Sequence, residues 1–457
     1  MPATLFDKLW RDHVVTELEG GETLLAIDRV FLHERTGSVA LESMAAAGRA
    51  PRHPERVFVT MDHIVSTRPG RGADDARTPG GDVFITATRQ AARRAGINLI
   101  DVLSEDQGIV HVISPELGIA QPGLTLVCPD SHTCSQGALG ALAWGIGSTD
   151  AEHAMATGTL RLRKPRQMRI TIDGQLGAGV TAKDAVLHII GTLGADGAKR
   201  CAVEFAGEAV AAMDVEARLT LCNMAVEMAA FTAIVAPDAV TFDYLEGRRY
   251  APTGEAWAAA LDYWSTLRSD PDARFDHTHA FDAADIRPTV TWGISPAHAA
   301  PVAGRVPDTL PDGVAAYSGL AGGEALSELE LGGAFIGSCT NARLTDLRAA
   351  ASVLRGRRVA DGLQAIVVPG SQAVRRAAEA EGLDAVFREA GFEWQQPGCA
   401  FCFYAGGDTF APGTRVISST NRNFQNRQGP GVRTHLASPA VVAASAVTGR
   451  ITDPASL

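Results

Sequence analysis

Short runs of almost unbroken apolar sequence recur along this chain, separated by stretches with helical periodicity. Residues 123–128, 333–337 and 363–369 are three such runs. A strand that is apolar on both faces must be covered on both, as in the centre of a parallel sheet flanked by helices. Residues 56–61 and 167–173 read as further strands, and 83–96, 344–355 and 373–381 as helices. This alternation predicts an α/β architecture. The 457 residues allow about three domains. A basic, proline-containing segment at 161–166 and a polar segment at 269–289, rich in Asp and His, place the boundaries at 1–165, 166–288 and 289–457.

Composition matters for what the chain can meet. It is 46% hydrophobic and 20% charged, enough apolar sequence for packed cores, so wholesale disorder is excluded. Lys and Arg total 41 against 52 Asp and Glu, a net charge of −11 that argues against a nucleic-acid-binding face. An anionic substrate would need a few locally placed arginines. Asp7, Lys8, Arg11 and Asp12 interrupt the N-terminus, so no secretory leader is expected. No apolar run is long enough to cross a bilayer, and 440–447 suits a buried helix. The expected location is the cytoplasm.

The seven cysteines are odd in number and thinly spread, which argues against a disulfide scaffold. Cys399 and Cys402 form a C-x-x-C pair, and Cys339 lies about sixty residues upstream in Gly337-Ser338-Cys339-Thr340-Asn341. The pair alone fits a buried couple of small hydrophobes, a redox dithiol, half a zinc site or a cluster site. A closed zinc site normally takes four ligands. Three thiolates leave one coordination position open, which suits Lewis-acid chemistry. Cys128, Cys134, Cys201 and Cys222 sit in apolar surroundings and read as ordinary buried thiols.

Polar residues gather where strands end. Asp62-His63 follows the strand ending at Met61, and Asp130-Ser131-His132 follows the one ending at Cys128. Ligands bind beyond the carboxyl ends of strands in open α/β sheets. Carboxylate–imidazole pairs there can serve as acid and base, and His111 adds a third imidazole. Asn223 and Glu227 lie four apart in a helix-like stretch and are expected to share a face. Residues 419–429 concentrate amides around Arg422 and Arg427, and arginine is the natural grip for carboxylates.

Together these motifs resemble the aconitase superfamily, specifically the large subunits of bacterial isopropylmalate isomerases. The carrying segments are Thr60-Met61-Asp62-His63, Gln107-Gly108-Ile109-Val110-His111, Asp130-Ser131-His132-Thr133, Thr220-Leu221-Cys222-Asn223 with Glu227, Phe335-Ile336-Gly337-Ser338-Cys339-Thr340-Asn341, Pro397-Gly398-Cys399 with Cys402, and Thr420-Asn421-Arg422-Asn423-Phe424 with Arg427-Gln428-Gly429. The resemblance implies three α/β/α domains around a 4Fe-4S cluster held by Cys339, Cys399 and Cys402, with one iron open. Asn223 and Asn421 would lie against the cluster. Asp62 and His63 would act on the departing hydroxyl, and His111, Asp130, His132 and Glu227 would hold it. Ser131, Arg422 and Arg427 would contact substrate carboxylates. The implied reaction is dehydration of 2-isopropylmalate to 2-isopropylmaleate and rehydration to 3-isopropylmalate, in leucine biosynthesis. The family's swivel domain, which carries the serine base, is not found before Leu457 and is expected from a small partner subunit.

Several positions depart from the family pattern. Val39 replaces a glutamine that can touch substrate carboxylate, Pro129 replaces a glycine and Gln136 a histidine. Ala229, Phe231, the segment Gly197-Ala198-Lys199-Arg200 and the run Phe403-Tyr404-Ala405-Gly406-Gly407 also differ. Two alternatives therefore stand beside the isomerase: a paralogue acting on another 2-substituted malate, such as citramalate or homocitrate, and a non-catalytic iron-sensing or RNA-binding protein.

Overall fold

The computed structural model describes residues 2–457 and is built on three parallel sheets. The first has the order Asn98–Ile100, Val57–Thr60, Arg29–His33, Thr125–Cys128, Leu142–Gly145. The second runs Thr232–Val235, Cys201–Ala206, Arg166–Asp173, His277–Asp282. The third runs Glu393–Trp394, Gln364–Val367, Gly333–Ile336, Arg415–Ser418, Arg433–Leu436. The apolar runs become interior strands, fully buried at Thr125–Cys128 and Gly333–Ile336 and buried beyond Gln364 in Gln364–Val367, as their two-sided hydrophobicity requires. Residues 440–447 lie within the buried helix Pro439–Thr448.

The first and third sheets share one winding. Each starts at its central strand, adds two strands on one side, then crosses back to add two on the other. The reversal leaves a crevice at the carboxyl ends of the adjacent strands Arg29–His33 and Thr125–Cys128, and a second one beyond Gly333–Ile336 and Arg415–Ser418. Such reversal points are where open sheets hold ligands.

Two small antiparallel sheets, five strands in all, were not legible in the sequence. Val14–Leu18, Glu22–Ala26 and Thr159–Leu162 form a small antiparallel sheet, and Thr289–Thr291 pairs with Ala299–Pro301. The polar stretch 269–289 contains an ordered strand, His277–Asp282, on the edge of the second sheet. One buried apolar cluster runs continuously through the first two sheets, whereas the third has a cluster of its own. Close approach explains that continuity. A Cβ on Gly137 would stand 1.7 Å from the carbonyl oxygen of Ala233, so only glycine lets the first unit seat on the second sheet. Among the described residues no helix is long and apolar enough to cross a membrane.

Candidate active site

The carboxyl ends of the first and third sheets face each other across a cavity of about 380 Å³. The first sheet supplies His33, His63, Pro129, Asp130, Ser131 and His132, and His111 arrives on the short helix Val110–Glu116. The third sheet supplies Cys339, Cys399, Cys402, Phe403, Asn421, Arg422 and Arg427. Three of the sequence-predicted residues sit one layer behind the wall. Asp62 is fully buried against His63, Glu227 backs His132, and Asn223 backs Cys339.

On the first wall the imidazoles and carboxylates satisfy one another. Nδ1 of His63 lies 2.7 Å from Asp62 Oδ1, and its Nε2 lies 3.1 Å from Asp130 Oδ2. His111 Nε2 is 2.9 Å from Asp130 Oδ1, and the His132 backbone N–H donates to the same oxygen at 2.7 Å. His132 Nε2 meets Glu227 Oε1 at 2.8 Å, where Arg422 Nε also donates at 2.8 Å. Burial alone would discharge these groups. For Asp130 it is outweighed by the charge of His111 and hydrogen bonds from His111, His132 and His63, which hold the carboxyl well below its ordinary range. Burial likewise opposes a charged His63, but Asp62 and its other acidic neighbours raise this imidazole well above 6.5. The pair is therefore an imidazolium held between two carboxylates.

A buttress supports this wall from behind. The buried carboxylate of Glu34 accepts backbone N–H groups of Asp62 at 3.0 Å and Val65 at 3.3 Å, and also that of Ile64, fixing the turn that carries His63. The His33 ring stacks on His63 with centroids 4.0 Å apart, and its Nε2 lies 3.1 Å from the Pro129 carbonyl. Burial, then the charge of His63, lowers His33 to about 4, so it stays neutral.

The second wall is made of thiols. All three cysteines are buried and none is in a disulfide. Ser338 and Ala400, beside them, adopt left-handed backbone with φ of 80° and 44°. L-residues rarely hold such angles outside functional sites. The Asn223 and Asn421 side-chain amides point N–H donors at Cys339 Sγ, at 3.2 and 3.4 Å, and the Ser338 hydroxyl lies 3.3 Å from Cys402 Sγ. Burial pushes the Cys339 thiol up to about 12 and the Cys399 thiol well above its usual value. Thiols so disfavoured as bare anions, yet surrounded by donors, fit a cationic iron–sulfur group whose sulfur ligands accept N–H bonds.

Arg427 completes this wall. Its guanidinium lies over Phe403 at 5.7 Å and over Phe424 at 5.2 Å, while its buried Nε has no acceptor. The loop 419–429 is divided: Ser419, Thr420 and Asn421 are fully buried, and Phe424, Gln425 and Asn426 are exposed.

Two expectations change. Asn223 and Glu227 do not share a helix face, because the α-helix ends at Met224 and Glu227 lies in a 3-10 turn closed by left-handed Ala229. The amide thus reaches the thiols while the carboxylate reaches His132. Val39 is 55% exposed and does not line the cavity. Arg35, Thr36, His33 and Phe403 do line it, and none was singled out as a site residue. His33 and Glu34 end a strand just as Asp62 and His63 do, so reading residues 29–33 as a strand would have found them. Lys183 was also missed. It is fully buried, reaches from the second unit to Asn341 Oδ1 and the carbonyls of Ser419 and Thr420, and is pulled down to about 7 by burial.

The chain matches the aconitase family (aconitate hydratase) over residues 7–449. It is 48% identical over 460 aligned positions to 3-isopropylmalate dehydratase large subunit 1 of Bradyrhizobium diazoefficiens, covering 98% of this chain and 96% of that protein. Among solved structures it is similar to the holo-form of aconitase X from Thermococcus kodakaraensis, at 14% identity and a TM-score of 0.47, over 87% of this chain and 84% of that one.

Proposed function

The chain belongs to the aconitase family, and from that premise we propose that it is the large subunit of a 3-isopropylmalate dehydratase. It would interconvert 2-isopropylmalate and 3-isopropylmalate through 2-isopropylmaleate, as a cytoplasmic hydro-lyase of leucine biosynthesis. The observation that carries this reading is the meeting of three buried thiols, Cys339 among them bonded by two side-chain amides, with a charged Asp–His–Asp chain on one cavity. The boundaries 1–165, 166–288 and 289–457 remain our proposed division into domains.

Cys339, Cys399 and Cys402 would hold a 4Fe-4S cluster, which when bound supplies Lewis acidity at an iron no cysteine ligates. The remaining chemistry falls to the chain's own side chains. Arg427, and Arg422 with Ser131, hold the substrate carboxylates in one orientation. His63 donates the proton from Nε2 that turns the departing hydroxyl into water, while Asp62 keeps Nδ1 and the ring in place. Asp130 accepts hydrogen bonds from His63 and His111 and holds both rings in place, and in the reverse direction His63 takes the proton back from water at Nε2. His111 and His132, the latter backed by Glu227, position the water between the two half-reactions. A small subunit bearing a serine base removes the carbon-bound proton.

The test is reconstitution with iron and sulfide under anaerobic conditions, together with the small subunit. The protein should turn brown, consume 2-isopropylmalate and release 3-isopropylmalate with the unsaturated acid as an intermediate. A colourless protein carrying stoichiometric zinc would overturn the reading.

A further inference from the structure

We propose that Arg35 is a third carboxylate-binding arginine of the catalytic cavity, positioned by Phe403. This deepens the reading above and rests on it. Arg35 lines the cavity from the first-sheet side, opposite Arg422 and Arg427. Among the described residues no carboxylate forms an ion pair with it, although the chain is rich in acids and most of the cavity's other charges are paired. Arg422 already spends its Nε on Glu227. Arg35 is an uncommitted cation at a site that must hold a dianion.

Its placement is specific. The Arg35 guanidinium carbon lies 5.1 Å from the centroid of Phe403, and Arg427 lies 5.7 Å from the same ring. One aromatic side chain thus carries an arginine from each wall, and cation–π attraction to its face leaves the hydrogen-bonding edge of Arg35 free. The ring also packs edge-on to His63, with centroids 5.6 Å apart. Arg35 sits in the first turn of the thirteen-residue helix Glu34–Ala46, whose N-cap His33 makes no side-chain cap bond. The only acid in that turn, Glu34, is committed to the Asp62–Val65 backbone. The acid of this helix end is thus turned inward, and Arg35 beside it is left without a carboxylate partner. On the opposite wall, Arg427 lines the cavity without an ion pair to any carboxylate among the described residues, its guanidinium donating to Cys402 Sγ at 3.7 Å. Two guanidiniums without a carboxylate partner, lining one cavity, fit the two carboxylates of a 2-hydroxy dicarboxylic acid, one at each.

The geometry sets what should be measured. In the reconstituted two-subunit holoenzyme, Arg35→Ala should raise KM for 2-isopropylmalate at least tenfold and change kcat less than threefold. Arg35→Lys should recover part of the loss. Phe403→Leu should raise KM less, and in the double variant the two effects should fall well short of multiplying, because the ring acts through the arginine. Calorimetric binding of 2-isopropylmalate, citramalate and homocitrate should weaken by a similar factor for all three in Arg35→Ala, since the malate frame is common to them. Weakening confined to tricarboxylic homocitrate would overturn the assignment, because Arg35 would then read a third arm. Unchanged binding in Arg35→Ala by an enzyme that binds these acids overturns it too, and leaves the proposed reaction standing. A holoenzyme that binds none of the three removes both.

Discussion

The two walls of the cavity come from sheets with the same winding, yet their electrostatic states are opposite. The wall from the first sheet is closed on itself: His63, His111 and His132 each find a carboxylate within about 3 Å, and the shifts compensate, acids down and imidazole up. The wall from the third sheet is open. Its Cys339 and Cys399 thiols are lifted by burial, its amides point at sulfur, and the Nε of Arg427 has no acceptor. A wall complete without a ligand is a machine for moving protons along fixed bonds. A wall left unsatisfied is completed only by what binds there.

If that division is right, the largest effect comes from breaking the open wall. Cys402→Ser should abolish turnover, by a thousandfold or more, together with the broad visible absorbance of the reconstituted protein, while circular dichroism stays that of the folded chain. Retention of cluster absorbance in the variant would show that Cys402 is not a ligand. The closed wall should behave otherwise. Asp130→Asn keeps shape and removes the charge shared by His63 and His111, so kcat should fall about 10²- to 10⁴-fold, the range ascribed to one acid–base group. Cluster content, read by iron analysis, should not change. A variant that loses its iron would mean that the walls are one unit.

Lys183 ties the open wall to the second sheet, and its loss should be intermediate. Lys183→Met leaves two carbonyls and an amide oxygen buried without their donor. Each stranded group costs about 1–3 kcal/mol, and part of that is regained because the buried ammonium itself is removed. The expected result is a lower denaturation midpoint and faster bleaching of the cluster in air, with activity per remaining cluster unchanged. Equal bleaching rates would show that the thiol loops stand without this strut.

The two walls were also unequally legible in the sequence. Each motif-bearing strand end announced itself by polar residues after a buried apolar run, so Asp62-His63, Asp130 to His132 and the Cys339 loop could be singled out. The pairing of strand ends across the reversal points could not be read, because it is set by sheet order. His33, Arg35 and Phe403 therefore escaped: each is unremarkable until the first and third sheets bring them to one cavity. Asn223 and Glu227 misled for a local reason. Helical periodicity was extrapolated through Ala225, where the backbone tightens to 3-10 and then turns left-handed at Ala229.

A further histidine–carboxylate pair, outside the cavity, shows which part of the comparison is function and which is general chemistry. His13 Nε2 lies 2.8 Å from Asp28 Oδ2, far from the cavity residues in the fold's first helix, and Nδ1 lies 2.7 Å from the Leu9 carbonyl. Burial disfavours charge on both groups, but their hydrogen bond and mutual attraction win, so His13 is raised and Asp28 lowered. A raised imidazole contributes stability in full below 6.5, its unfolded value, and loses it as pH rises through the higher folded value. A lowered carboxyl contributes above 3.8 and loses it as pH falls through the lower folded value. The pair therefore stabilises most between about pH 4 and 6.5. His13→Asn should cost about 1–2 kcal/mol in that window and less at pH 9, read by denaturant unfolding, with kcat unaltered at any pH. The same substitution at His63 should collapse kcat. The pairing is common to both; what differs is that only His63 has its second nitrogen on a carboxylate that lines a cavity with unfilled arginines and thiols opposite.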